Sequence, residues 1–126
     1  MASCLPPGRE YIVQVGLSVE KGLALARRLC ALGFSTSVLF DSSGGKGREP
    51  EQWPAAQNDI RCGYAGGLGP DNLRRHLGLL DGTAGNPSIW VDMESGVRSE
   101  DVQALDLDKV KRCLEIAAPF EKDSAW

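Results

Sequence analysis

The chain has little of what most local motifs are built from. Its 126 residues include one histidine, two methionines and only 6% aromatics, and its four cysteines, Cys4, Cys30, Cys62 and Cys113, lie far apart with no CxxC pair. A zinc site made from local sequence is therefore excluded, because it needs clustered nitrogen and sulfur donors and His76 is the sole imidazole. No metal is expected. Cys30 and Cys113 occupy apolar positions of helical patterns and read as small buried thiols. Positive charge is not in excess either: 14 Lys and Arg against 17 Asp and Glu give a net charge of -3, which argues against nucleic acid as a partner. No apolar run approaches the roughly 18 residues needed to span a bilayer, and residues 1–9 have neither the charged start nor the apolar stretch of a secretory leader. The expectation is a cytoplasmic protein with no membrane partner and no disulfide framework.

Glycine is abundant. Its 15 residues are about one in eight, against a usual level of roughly 7%, and several fall together just after strand patterns. With 42% hydrophobic and 25% charged residues, the chain is long enough to bury a core without staples and reads as a single domain over residues 1–126. Residues 1–9 form an N-terminal extension and 118–126 a C-terminal tail. His76 sits in an Arg74-Arg75-His76 run that reads as a solvated helix face, and no Ser or Cys is placed by sequence to make a hydrolase triad with it. Trp53 and Trp90 read as packing residues.

Short β-rich runs alternate with amphipathic segments. Residues 11–16 (YIVQVG) form a strand pattern, after which Ser18 can cap a helix whose apolar positions are Gly22, Leu25, Ala26, Leu29 and Leu32, stopped by Gly33. Residues 37–40 lead a second strand into Asp41 and the loop 42–47 (SSGGKG). A short helix is expected around residues 53–58, confined by Pro50 and Pro54. A third strand, 61–65, runs into Gly66-Gly67-Leu68-Gly69. Pro70 then opens a helix with Leu73, Leu77 and Leu80 buried. Residues 88–92 make the fourth strand, ending in Glu94-Ser95-Gly96. A last helix from about Asp106 carries Leu107, Val110, Leu114 and Ala117 on one face and ends at Pro119. This order predicts an α/β fold of parallel βα units.

In such folds ligands bind beyond the carboxyl ends of the strands. Three of the four strand ends bear glycines, which let backbone amides approach an anion closely. Neither nucleotide fingerprint fits. Lys46 is followed by Gly47 instead of Ser or Thr, and no GxGxxG run follows a strand. A phosphosugar is the simplest ligand.

The ordered set VLFDSSGGKG, CGYAGGLGPDNL, IWVDMESGV and LDLDKVKRCLE resembles the second half of the phosphoribosylanthranilate isomerase family of tryptophan biosynthesis. In that family the corresponding stretches run LLDS with GGTGK, LAGGLxPxNV, VDVSSGVE and KDxxKI. The resemblance implies a TIM (βα)8 barrel of which this chain supplies half, and an Amadori rearrangement of phosphoribosylanthranilate without metal or organic cofactor. Asp41 matches the general acid that protonates the ribose ring oxygen, a role that needs a carboxyl protonated part of the time near neutral pH. Gly44, Gly45 and Gly47 match the flexible loop beside it. Gly66 and Gly67, with Ser95 and Gly96, match the phosphate cradle. Asp92 matches the carboxylate on the anthranilate side.

The chain also departs from the pattern. A barrel of this kind takes roughly 200 to 250 residues, and the family's catalytic base, a cysteine in a KxCG sequence on the first strand, has no counterpart, since Cys4 sits in SCLPP. Glu94 stands where a small serine is usual, and at about 5 Å from a phosphate it adds repulsion of a few kcal/mol at an effective dielectric near 20. Lys46 and Arg98 replace Thr and Glu. An open four-stranded parallel sheet needs cover, which the rest of a longer enzyme, a second copy in a homodimer, a complementing N-terminal half-barrel, or helices shielding both faces of a relaxed open sheet would provide. The alternative to an incomplete isomerase is a non-catalytic phosphosugar-binding or assembly module.

Overall fold

β-Branched and aromatic residues at alternate positions form the strands, and capped amphipathic segments form the helices between them. In the computed structural model, which describes residues 8–16, 18–41, 50, 52–84 and 88–121, four strands lie side by side in chain order and all parallel. They are β1 (Glu10–Val15), β2 (Ser35–Asp41), β3 (Arg61–Ala65) and β4 (Ile89–Asp92). Helices α1 (Val19–Ala31) and α2 (Leu73–Ala84) connect β1 to β2 and β3 to β4, and α3 (Leu107–Ala117) follows β4. The expected α/β order of parallel βα units is what forms.

Alternation divides the sheet into two faces. Val13, Val15, Val38, Phe40, Cys62, Tyr64, Ile89 and Val91 point toward the helices and build the main core with Leu23 and Ala26 of α1, Trp53, and Leu80 of α2. A second cluster joins Leu73 and Leu77 to Val97 and to Cys113 of α3. The opposite face is mixed. The Ser37 hydroxyl donates to Glu10, which also pairs with Arg61 at 2.9 Å, and the Arg61 guanidinium lies 5.8 Å from the centre of the Trp90 ring. The Trp90 indole occupies space that only glycine leaves at position 63: a Cβ there would stand 2.1 Å from Trp90 Cε2.

The cap expected at Ser18 forms, and a second one forms at Asp106. Ser18 Oγ accepts from Lys21 N at 3.4 Å, and the Asp106 carboxylate accepts from the amides of Asp108 and Lys109 at 3.0 and 3.1 Å. On α2 Leu73, Leu77 and Leu80 are buried as expected, but the stripes of α1 and α3 are rotated from the expected ones. On α1 the buried residues are Leu23 and Ala26, whereas Leu25 and Leu32 face out. The cause is Gly22, whose missing side chain lets α1 settle onto β1; a Cβ there would meet Val15 Cγ2 at 2.6 Å. On α3 Cys113 is buried, with Val110, Ile116 and Ala117 packed beside it, and Leu107 and Leu114 are exposed. Cys113 is thus the buried thiol expected, while Cys30 is exposed, its Sγ 3.9 Å from the Thr36 carbonyl.

Two further expectations are corrected. Residues 52–60 form no helix; the stretch is irregular, as Pro54 demands. His76 is not on a solvated face but is 0% exposed. It lies three residues after Leu73 and one before Leu77, inside the buried stripe, and Trp53 Nε1 donates to its Nδ1 at 3.0 Å. Trp53 packs edge-on against Tyr64, whose hydroxyl donates to the Pro54 carbonyl at 2.7 Å. These bonds hold the irregular segment against α2 and β3.

Two outcomes follow from this packing. Gly63→Ala destabilises the fold by about 1–3 kcal/mol in urea denaturation, and Trp90→Leu in the same chain recovers most of it. Burial, and secondarily Arg75, push the His76 imidazole below its ordinary value of 6.5, so the folded state binds its proton less readily than the unfolded chain. The His76 contribution is then fully present above about pH 6.5 and declines as pH falls below it, by at most about 1.4 kcal/mol per pH unit. Denaturation midpoints between pH 5 and 7.5 should show this slope in the parent and a flatter one in His76→Asn, whose carboxamide oxygen can still accept from Trp53.

Candidate functional site

Parallel pairing without slippage brings the strand ends level. Asp41 at the end of β2 is paired with Ala65 at the end of β3, which is paired with Asp92 at the end of β4; on the other side Val15 is paired with Phe40, so Gly16 comes next to Asp41. Asp41 and Asp92 therefore stand at the same rim, two strands or roughly 10 Å apart, and alternation puts both on the face away from the helices. Asp41 is buried and Asp92 half-buried. Gln14 Nε2, reaching across from β1, donates to Asp41 Oδ2 at 3.1 Å. Sequence reasoning missed Gln14. Its signal is a polar residue interrupting the apolar run YIVQV, on the face opposite Val13 and Val15.

The loops after β3 and β4 meet above this row. Gly66 and Gly67 have φ of 138° and 63°, backbone that L side chains rarely adopt, and the chain turns sharply there into Leu68-Gly69. The Asn72 carboxamide then clamps the loop: its nitrogen donates to the Gly67 carbonyl at 2.8 Å and its oxygen accepts from the Gly69 amide at 2.9 Å. The Leu73 amide, at the start of α2, donates to the Gly69 carbonyl at 2.9 Å. Asn72 is a second residue that sequence reasoning left unassigned, although it stands in the quoted GGLGPDNL stretch. The β4 loop is seated directly on this clamp, since a Cβ at Gly96 would lie 1.9 Å from the Leu68 carbonyl oxygen.

Six of the expected site residues are thus brought to one rim: Asp41 and Asp92 at the strand ends, Gly66 and Gly67 in one loop, Ser95 and Gly96 in the other. The remaining three, Gly44, Gly45 and Gly47, lie outside the described residues, as does Lys46. Ser95 begins a single 3-10 turn, Ser95–Val97, and Glu94 just before it is exposed while its carbonyl accepts from the Val97 amide at 3.2 Å. Arg98 is engaged elsewhere. Its guanidinium donates to the Val102 carbonyl at 3.4 Å, and its own carbonyl accepts from Lys109 Nζ at 2.7 Å. Among the described residues, no three His, Cys, Asp or Glu side chains converge to hold a metal ion.

Chemically, the rim offers a buried carboxyl beside two loops whose glycines bring main-chain groups close together, at the end of the sheet where α2 begins with its positive dipole end. If Asn72 holds that geometry, Asn72→Ala should cost about 1–3 kcal/mol of stability. Amide exchange should quicken at Gly67 to Gly69 and, through the Leu68 contact, at Gly96, while Val38 and Tyr64 in the core stay protected.

Among known families, the model for N-(5'-phosphoribosyl)anthranilate (PRA) isomerase matches residues 9–115. No curated protein and no solved structure matches the chain.

Proposed function

Since the chain belongs to the N-(5'-phosphoribosyl)anthranilate isomerase family of tryptophan biosynthesis, whose fold is a TIM barrel and whose substrate is a small phosphoribosyl compound, we propose that it supplies the proton-donating and phosphate-holding part of that isomerase. Asp41 is the general acid that protonates the ribose ring oxygen as the ring opens. The main-chain groups of Gly66, Gly67, Ser95 and Gly96 hold the phosphate, and Asp92 faces the anthranilate end, with Gly44, Gly45 and Gly47 in the loop beside Asp41. The observation that carries this is the level row of strand ends, which puts Asp41 beside two interlocked glycine loops.

The ring-opened iminium must then lose its C2 proton to a base, giving an enaminol that takes up a proton at C1 and gives up its O2 hydroxyl proton, which converts the aldosylamine to the aminoketose with no net gain or loss of atoms. No residue among these 126 matches the family's base, so the whole reaction needs the N-terminal half of the barrel, in the same polypeptide or as a complementing piece, and the domain works in the cytoplasm as part of that whole. No helix among the described residues is long and apolar enough to cross a membrane. Glu94, exposed next to Ser95, favours the second reading, a binding module without turnover, because a carboxylate there weakens the grip on a phosphate.

The test has two parts. Inorganic phosphate at millimolar concentration should shift the amide resonances of Gly66, Gly67, Ser95 and Gly96, and the absence of any shift would defeat the phosphate assignment. With an N-terminal half-barrel added, phosphoribosylanthranilate should turn over, and Asp41→Asn should lower the rate by roughly 10²–10⁴. Phosphate binding with no turnover in either mixture selects the non-catalytic module, and turnover that survives Asp41→Asn removes Asp41 from the acid role.

A further inference from the structure

The two ends of the four-unit arc carry matching apolar flanks. On α1 the residue at the centre of the buried face is Ala26. Arg27, turned about 100° to one side of it, bonds Asp59 at 2.9 Å and Gln57 at 2.8 Å, so that side faces the β3 unit. Leu25, turned about 100° the other way, and Leu32, two turns further on, face away from the arc and are 52% and 56% exposed. On α3 the arrangement is mirrored. Cys113 is at the buried centre, Arg112 on one side reaches Asp71 at 3.6 Å next to α2, and Leu114 on the other side, with Leu107 two turns before it, looks past β4. Those two leucines are 65% and 72% exposed.

Each flank stands beside a sheet edge. Among the described residues β1 is bonded only to β2 and β4 only to β3, and all four strands run the same way. The edge of β4 can therefore continue into a β1 edge without reversing direction. Joining them would set Leu107 and Leu114 of one molecule alongside Leu25 and Leu32 of another, two pairs with the same spacing along parallel helices. Ile12, 55% exposed on the face away from the helices, would be enclosed.

We propose that the partner is a second copy of this chain, joined head to tail at two equivalent junctions into a ring of eight parallel strands. The complement of each flank is present on the other end of the same chain, so one two-fold rotation satisfies both flanks and both edges, and eight strands is a number that closes. The ring sets two copies of the Asp41 rim at one end of a common barrel. This rests on the reading that a single chain holds an incomplete site, with the second copy covering the edges that an N-terminal half would otherwise occupy and displace it from; its test measures association alone, without substrate or phosphate.

Sedimentation equilibrium of the full chain at micromolar concentration should give twice the monomer mass of 13.5 kDa. Leu25→Lys or Leu114→Glu acts at both junctions of a homodimer and should weaken it by at least roughly a hundred-fold. Leu79→Glu, at an exposed position on α2, should change nothing. Because Leu25 and Leu114 are exposed in the single chain, their variants should keep the parent circular dichroism spectrum. Mixing the two weakened variants should restore dimers, since one junction then sets the introduced lysine against the introduced glutamate while the other keeps its native leucines. A chain that stays monomeric, an open polymer instead of a dimer, a dimer indifferent to both substitutions, or a mixture that fails to recover each overturns the proposal.

Discussion

The unslipped parallel pairing of β2, β3 and β4 is the constraint on which the site depends. Because Asp41, Ala65 and Asp92 are opposite one another, the turns that follow them leave the sheet at the same height and have to share space. A slip of one residue in β3 would send Tyr64 to the open face and Gly63 into the core, and it would carry the Gly66–Gly67 turn out of line with Asp41. The aromatic contacts resist that slip. Tyr64 is fixed by Phe40 beside it, by Trp53 edge-on, and by its hydroxyl bond to Pro54, while Gly63 is fixed by the Trp90 ring that fills its side-chain space.

Close approach through glycine recurs at three levels of the molecule. Gly22 lets α1 rest on Val15, Gly63 admits Trp90 on the open face, and Gly96 accepts the Leu68 carbonyl at the rim. Each sets a distance between elements that any larger residue would increase. The contact at Gly96 matters most for chemistry, since it couples the two loops assigned to the phosphate, and Asn72 stiffens one of them from below. The stability of the two loops proposed to hold the phosphate therefore rests on this one set of contacts.

The two faces of the sheet have different duties. The helix face is continuous core, where the buried His76 is kept neutral and bonded to Trp53 so that the irregular segment between β2 and β3 can take the place of a helix in covering β3. The other face keeps ionic and polar groups, Glu10, Ser37, Arg61 and Gln14, that a solvent-free core would not tolerate singly, yet pairs them with one another and with Asp41. That combination suits the inside of a closed barrel better than a free surface, in accord with the leucine flanks at either end of the arc.

The succession of strands and helices, the parallel α/β class, the helix cap at Ser18 and the glycine-bearing strand ends were determined by the sequence alone, because each rests on rules of alternation, capping and backbone freedom that act along the chain. Periodicity found the helices and the buried face of α2, but not the rotation of α1 and α3: the choice between Leu25 and Leu23, or between Leu114 and Cys113, depends on which side meets the sheet, and Gly22 decides the first of these through a contact with Val15. His76 looked solvated beside two arginines until Trp53, 23 residues away, supplied its partner. Gln14 on Asp41, Asn72 across its loop and Gly96 on Leu68 were likewise settled only by tertiary structure, since hydrogen bonds and steric limits between elements depend on positions in space that no local pattern records.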